Sequence, residues 1–306
     1  MGAVTTRMIA SSGLDPKVIT GGYADIPGQK VRYVQSSHLR ASNLNNSGLK
    51  RDYPLSTLVK AVALSLPYDT IIMLPGHIET VSVANGLDVN KLGLFIHGVG
   101  GETTRPQIKV GTLTTANVRI SAADVTMNNF DLITDIDSLA QVLNITAAGA
   151  KLSNFRCEDS ASKQALIHVE LAVGASYARI SGMRSDCETA GAVSAIKISG
   201  ACDGVEITDC ILKGSFSTAN IHVTAAATRL AIGRNVLSNL ATNVCILAGA
   251  VVATGEIFQN FCTLTGATAA PFAAAITVGS ATWVLYENYA TDAAALTGAL
   301  IGTAAT

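Results

Sequence analysis

The sequence predicts an all-β chain: a right-handed parallel β-helix with a short N-terminal capping helix and an extended N-terminal arm. Three observations predict it. One short motif recurs seven times at a nearly fixed spacing, a second apolar segment precedes each copy, and the turns between them are too short to hold helices. The copies read Met127-Asn-Asn-Phe130, Leu152-Ser-Asn-Phe155, Ile180-Ser-Gly-Met183, Ile207-Thr-Asp-Cys210, Ile232-Gly-Arg-Asn235, Ile257-Phe-Gln-Asn260 and Leu285-Tyr-Glu-Asn288. Their leading positions are separated by 25, 28, 27, 25, 25 and 28 residues, a spacing that marks stacked repeats.

The preceding segments are Val118-Arg-Ile120, Leu143-Asn-Ile145, Ile167-His-Val169, Ile196-Lys-Ile198, Ile221-His-Val223, Cys245-Ile-Leu247 and Ala274-Ala-Ile276. Each unit is therefore two or three short strands. Such a unit cannot bury its apolar face alone, so copies must stack at about 4.8 Å per coil. The fourth motif position runs Phe130, Phe155, Met183, Cys210, Asn235, Asn260, Asn288, which predicts an internal apolar ladder continued by an amide ladder at a corner. The next column runs from Asp131, Arg156 and Arg184 to Ile211, Val236, Phe261 and Tyr289. This reversal suggests that the corner shifts by about one residue near Cys210.

Of 306 residues 49% are hydrophobic, 14% charged and 5% aromatic, which suits a long, narrow core of aliphatic side chains. A net charge of -1 argues against nucleic acid as a partner. No apolar run reaches the roughly 18 residues of a membrane span, and the start lacks a signal-peptide apolar region. The expectation is a soluble chain, made in a host cytoplasm and not exported by a signal peptide. Six cysteines without metal-ligand spacing are expected to be free and mostly buried.

Four stretches follow in chain order: an arm over 1–31 punctuated by Gly and Pro, an entry segment over 32–110, regular coils over 111–292 and a tail over 293–306. In the entry segment, Leu55, Leu58, Val59, Val62 and Leu66 fall at helical spacing before Pro67 and predict a plug helix over Leu55 to Leu66. Two irregular turns are expected over His77 to Val83 and Leu92 to Val99. Arg32-Tyr33-Val34, the Ser42-Asn43 to Asn46-Ser47-Gly48 loop, Tyr53-Pro54-Leu55-Ser56-Thr57-Leu58 and Asp69-Thr-Ile-Ile-Met-Leu-Pro-Gly76 resemble the entry segment of pectate-lyase-like β-helix proteins. The resemblance implies a first strand, a helix closing the open end of the coil, and a first full turn. With the Ala/Thr-rich body and the closing Leu285-Tyr-Glu-Asn-Tyr289, the chain is further similar to β-helical structural proteins of tailed-phage virions.

One constellation is worth testing as chemistry. Asp135 and Asp137, Glu158 and Asp159, and Asp186 and Glu188 follow three successive motifs. Stacking would bring them to one edge able to hold a cation or a sugar, or, as a carboxylate pair, to cleave a glycosidic bond. No arginine falls in an obvious partner column for lyase chemistry, and the next coil carries Lys213. His168 and His222 are read in one outward column, Asn144, His168, Lys197, His222. They would stand two coils and about 10 Å apart, too far to share a metal. No catalytic residue, metal or cofactor is assigned. The reading is a non-enzymatic phage virion protein that decorates or cements a capsid. It is expected as a homotrimer, bound to the major capsid protein or another virion protein through residues 1–31. The alternatives are a tail fibre or tailspike that binds or cleaves surface polysaccharide, and a carbohydrate-active β-helix enzyme.

Overall fold

In the computed structural model three parallel sheets wind around one apolar core, giving a parallel β-helix. The structure describes residues 29–160, 162–187, 191–241, 244–249, 253–264, 275–279, 282–292 and 298–301. Most of the 1–31 arm and most of the 293–306 tail lie outside the described residues. Each coil passes through sheet A, then sheet B, then sheet C. One coil shows the plan: Thr126–Asn128 in sheet A, Asp131–Thr134 in sheet B and Leu143–Ile145 in sheet C. Sheets A and B each hold ten strands and sheet C eight.

The motif residues occupy sheet A, where Met127, Leu152, Ile180, Ile207, Ile232, Ile257 and Leu285 are successive ladder partners. Sheets A and B join through a corner whose first residue has a left-handed backbone in every motif: Asn129, Asn154, Gly182, Asp209, Arg234, Gln259 and Glu287. That conformation turns the chain sharply and aims the next side chain inward. Phe130, Phe155, Met183 and Cys210 are all fully buried there, and the rings of Phe130 and Phe155 stack at 5.2 Å. Beyond them Asn235 Nδ2 donates to Asn260 Oδ1 at 3.0 Å, and Asn260 Nδ2 donates to Asn288 Oδ1 at 3.0 Å. Each of these amides also donates to a backbone carbonyl of sheet A, Ile207 O for Asn235 and Ile232 O for Asn260.

The corner does not shift near Cys210. Asp131, Arg156, Arg184, Ile211, Val236, Phe261 and Tyr289 are consecutive ladder partners on sheet B. The change from charged to apolar residues is a change of composition in one unbroken column.

At the N-terminal end Val31–Val34 pairs with Thr70–Met73, and the helix Leu58–Leu64 closes the coil with Leu58, Ala61 and Val62 buried. It is shorter than Leu55 to Leu66. Val59 and Leu66 are exposed, and Leu55 is buried as a bridge partner of Val34 rather than on the helix. Thr57 caps the helix by accepting from the Lys60 N–H at 3.2 Å, and the Glu79 carboxylate accepts from the Leu58 N–H at 2.5 Å, meeting otherwise unpaired first-turn donors. Arg32 donates to Ser47 O and Leu64 O, each at 2.6 Å, and fastens the other end. The two stretches expected as irregular turns contain regular strands, Ile78–Val81 and Phe95–Gly98. At the far end Gly298–Ile301 pairs antiparallel with Asn288–Asp292, covering the last edge of sheet B. No helix among the described residues is long and apolar enough to cross a membrane.

Candidate functional site

Sheet B carries the acidic edge. Glu158 and Asp186 are ladder partners, and Lys213 follows Asp186 in the next coil. Asp135 and Asp137 lie just after the strand Asp131–Thr134, with Asp137 exposed. Glu188 lies outside the described residues. Asp159 leaves the edge: its side chain is 4% exposed.

Arginines stand directly beside these carboxylates, which corrects the reading that none occupies a partner column. Arg156 and Arg184 are ladder partners two residues before Glu158 and Asp186, on the same face of the strand. Arg156 Nε donates to Asp131 Oδ1 at 2.9 Å, Arg105 Nη1 reaches the same oxygen at 3.3 Å, and Arg156 Nη1 lies 3.2 Å from Glu158. Arg184 lies 3.5 Å from Glu102, and Lys163 Nζ lies 2.5 Å from Asp135. The hydrogen bond from Lys163 holds the Asp135 carboxyl below its ordinary range. Asp131, Asp135 and Glu158 are thus held in ion pairs, an arrangement suited to presenting charge rather than to accepting a proton.

A concave site lies instead beside sheet A. A cavity of about 230 Å³ is lined by Gln29, Tyr68, Gly93, Phe95, Asp124, Thr126 and Lys151. Phe95, Thr126 and Lys151 are consecutive ladder partners, so they form a row one strand apart. Tyr68 has a left-handed backbone (φ 66°) and lays its ring against the next coil at Gly93. A Cβ on Gly93 would meet that ring at 2.3 Å, so only glycine leaves the aromatic wall in place. Lys151 is exposed and forms no ion pair among the described residues. The sequence signal for this site was faint: Tyr68 and Gly93 stand 25 residues apart, one repeat, but they precede the recognisable motifs.

The third cluster is inside the coil. His168 is fully buried and does not share the outward column of Lys197 and His222. That column runs Asn144, Glu170, Lys197, His222. Residues Ile167, His168 and Val169 are all buried, so the in-and-out alternation breaks at the start of this strand and turns the imidazole into the core. Its Nδ1 lies 2.8 Å from Ser185 Oγ and its Nε2 lies 3.3 Å from Asp159 Oδ1. The Cys187 thiol joins them, and one ligand atom from each of Asp159, His168 and Cys187 falls within 4.8 Å of the others. Burial and then the Asp159 carboxylate push the Cys187 thiol up. Burial alone would raise Asp159, but the contacts with His168, followed by hydrogen bonds from the Cys187 thiol and the Ala165 N–H, outweigh it and leave the carboxyl lowered.

No known family model and no curated protein sequence matches the chain. Among solved structures it is similar to a rhamnogalacturonan lyase, with a TM-score of 0.50 and 12% identity over 85% of this chain and 87% of that one. At that identity the likeness shows the fold. The expectation of a non-enzymatic chain is corrected to that extent: the solved structure that shares this fold over 85% of the chain is an enzyme. The chain therefore has a parallel β-helix fold, similar to that structure well beyond the entry segment.

Proposed function

We propose that this chain is a carbohydrate-engaging β-helix protein of a tailed-phage particle, holding one residue of an acidic polysaccharide against the outer face of sheet A. The observation that carries this reading is the cavity of about 230 Å³ walled by Tyr68 and Phe95, with Asp124, Thr126 and Gln29 on its lining and Lys151 beside them. Aromatic rings pack against the C–H faces of a pyranose, and a few convergent polar groups fix its hydroxyls. The Lys151 ammonium, without an ion-pair partner among the described residues, matches the carboxylate of a uronic acid. The lyase of the same fold is named for a uronate-containing polysaccharide, which agrees with that ligand class.

Attachment to the particle is assigned to residues 1–31, and assembly to a homotrimer. Ile211, Val236, Phe261 and Tyr289 support the trimer: they form one outward column of sheet B and are each between 42% and 50% exposed. Apolar rows of that kind are covered when copies pack around a closed axis. Removing residues 1–28 should release the protein from particles and leave a folded trimer.

The test of carbohydrate engagement is a binding screen against neutral and uronate polysaccharides, followed by titration and by assays for chain cleavage. Tyr68→Ala and Phe95→Ala should each weaken binding at least about tenfold, the equivalent of 1.4 kcal/mol. Lys151→Ala should weaken uronate binding alone. Absence of binding by the parent chain, or binding untouched by all three substitutions, would overturn the reading.

A further inference from the structure

We infer that Asp159, His168 and Cys187 form a closed site for one divalent transition-metal ion of the zinc class, inside the coil between sheets B and C. A carboxylate, an imidazole and a thiol meeting at one point are unusual company in a core built mainly from Ile, Leu, Val, Ala, Met, Cys and Phe. Asp159 and Cys187 occupy inward positions one step beyond the ladder pair Glu158 and Asp186, so the coil stack itself brings them together. The disrupted alternation at Ile167 to Val169 then delivers His168 from sheet C to the same point.

The geometry fits coordination. The 3.3 Å between His168 Nε2 and Asp159 Oδ1 is close to the separation of two ligand atoms each about 2.0 to 2.1 Å from a tetrahedral zinc ion. The 2.8 Å contact from His168 Nδ1 to Ser185 Oγ is the outer hydrogen bond that orients a ligating imidazole and presents Nε2 as the ligand atom. Among the described residues Asp159 Oδ2 is buried without a geometric hydrogen-bond partner, the carboxyl being otherwise engaged by His168 and the Cys187 thiol, a costly state for a carboxylate oxygen unless a cation faces it. Charge also balances. When the ion binds, the Cys187 thiol gives up its proton to solvent, and the carboxylate, thiolate, neutral imidazole and divalent ion sum to zero. A mixed N, O and S set selects zinc-class ions over calcium or magnesium, which take oxygen ligands alone. The ligands come from two coils and two sheets, so the ion would be acquired as the chain folds and would clamp the coils together.

The experiment uses the full chain and needs no carbohydrate. Elemental analysis of the purified protein should find about one zinc-class ion per chain. Unfolding and refolding with zinc should raise the thermal midpoint above that of protein refolded with a chelator. Refolding with cobalt(II) should give a thiolate-to-cobalt charge-transfer band that Cys187→Ser abolishes and that Cys157→Ser, a neighbouring buried thiol, retains. Asp159→Asn should lower metal content while keeping the β-sheet spectrum. A parent chain that carries no metal, shows no cobalt band and melts identically with and without zinc would overturn the site, and the cluster would then be a hydrogen-bonded core feature.

Discussion

The two halves of the A to B corner solve one packing problem in two ways. In the N-terminal half the corner is filled by Phe130, Phe155, Met183 and Cys210, and in the C-terminal half by Asn235, Asn260 and Asn288, all at the same station and nearly all fully buried. The aromatic half leaves its backbone to the ladder and fills volume. The amide half trades volume for hydrogen bonds, with Asn260 donating to Ile232 O and Asn288 Oδ1 while its own Oδ1 accepts from the backbone and side chain of Asn235. The outer column changes in the opposite sense, from Asp131, Arg156 and Arg184 to Ile211, Val236 and Phe261. One end of sheet B therefore shows solvent a charged face over an apolar corner, and the other an apolar face over a polar corner. The lesson is that a ladder needs likeness between neighbouring coils, not any one chemistry.

The largest effect that would test this contrast is at Phe155. Phe155→Ala removes one ring of the stacked pair and should cost about 3 to 5 kcal/mol, read from denaturant unfolding. A loss below about 1 kcal/mol would mean that neighbouring coils collapse into the space. Asn260→Leu keeps the branched shape, with slightly larger end groups, and removes the bonds. It should still cost about 2 to 3 kcal/mol, because donors of Asn235 are left buried and unpaired; a neutral result would reduce the amide ladder to space filling.

A smaller effect belongs to the charged face. The folded-state pKa of Asp135 is lowered, first by its hydrogen bond from Lys163. Its stabilising contribution is therefore present above the unfolded carboxyl pKa near 4 and is lost as pH falls through the folded value. Because both side chains are about two-fifths exposed, the contribution should stay below about 1 kcal/mol. Comparing Asp135→Asn with the parent chain over acid pH should show the difference vanish there. Smallest of all, Val236→Ser on the apolar face should change monomer stability by no more than about 0.5 kcal/mol, yet weaken self-association measured by sedimentation.

Period and alternation made the coil legible before any coordinates. Stacked side chains must repeat at the coil length, so Phe130, Phe155 and the three asparagines announce one another. Local departures from the repeat were not legible. His168 stands where strict alternation points outward, but the alternation breaks at Ile167 to Val169, all three buried, in a strand that begins two residues before its partner Leu143–Ile145. The same extension aligns Glu170, rather than His168, with Asn144. The corner shift inferred near Cys210 was a change of chemistry mistaken for a change of register. Tyr68 and Gly93 were missed because a site formed by a ring against a neighbouring backbone leaves no mark in residue type.

The left-handed residue at the A to B corner of every motif also has a consequence for engineering. Between Thr126–Asn128 and Asp131–Thr134, as between Lys151–Ser153 and Arg156–Asp159, two residues make the junction, and lengthening it would swing the following inward side chain away from its stack. Within the motif coils, variation in repeat length must therefore be absorbed elsewhere, as it is between Thr134 and Leu143 or between Asp159 and Ile167. A foreign peptide grafted at Asp137 or Ser162 would leave the rod from one flank only. Grafts in adjacent coils would stand about 4.8 Å apart along the axis, making the molecule a ruler for displaying short epitopes at defined intervals.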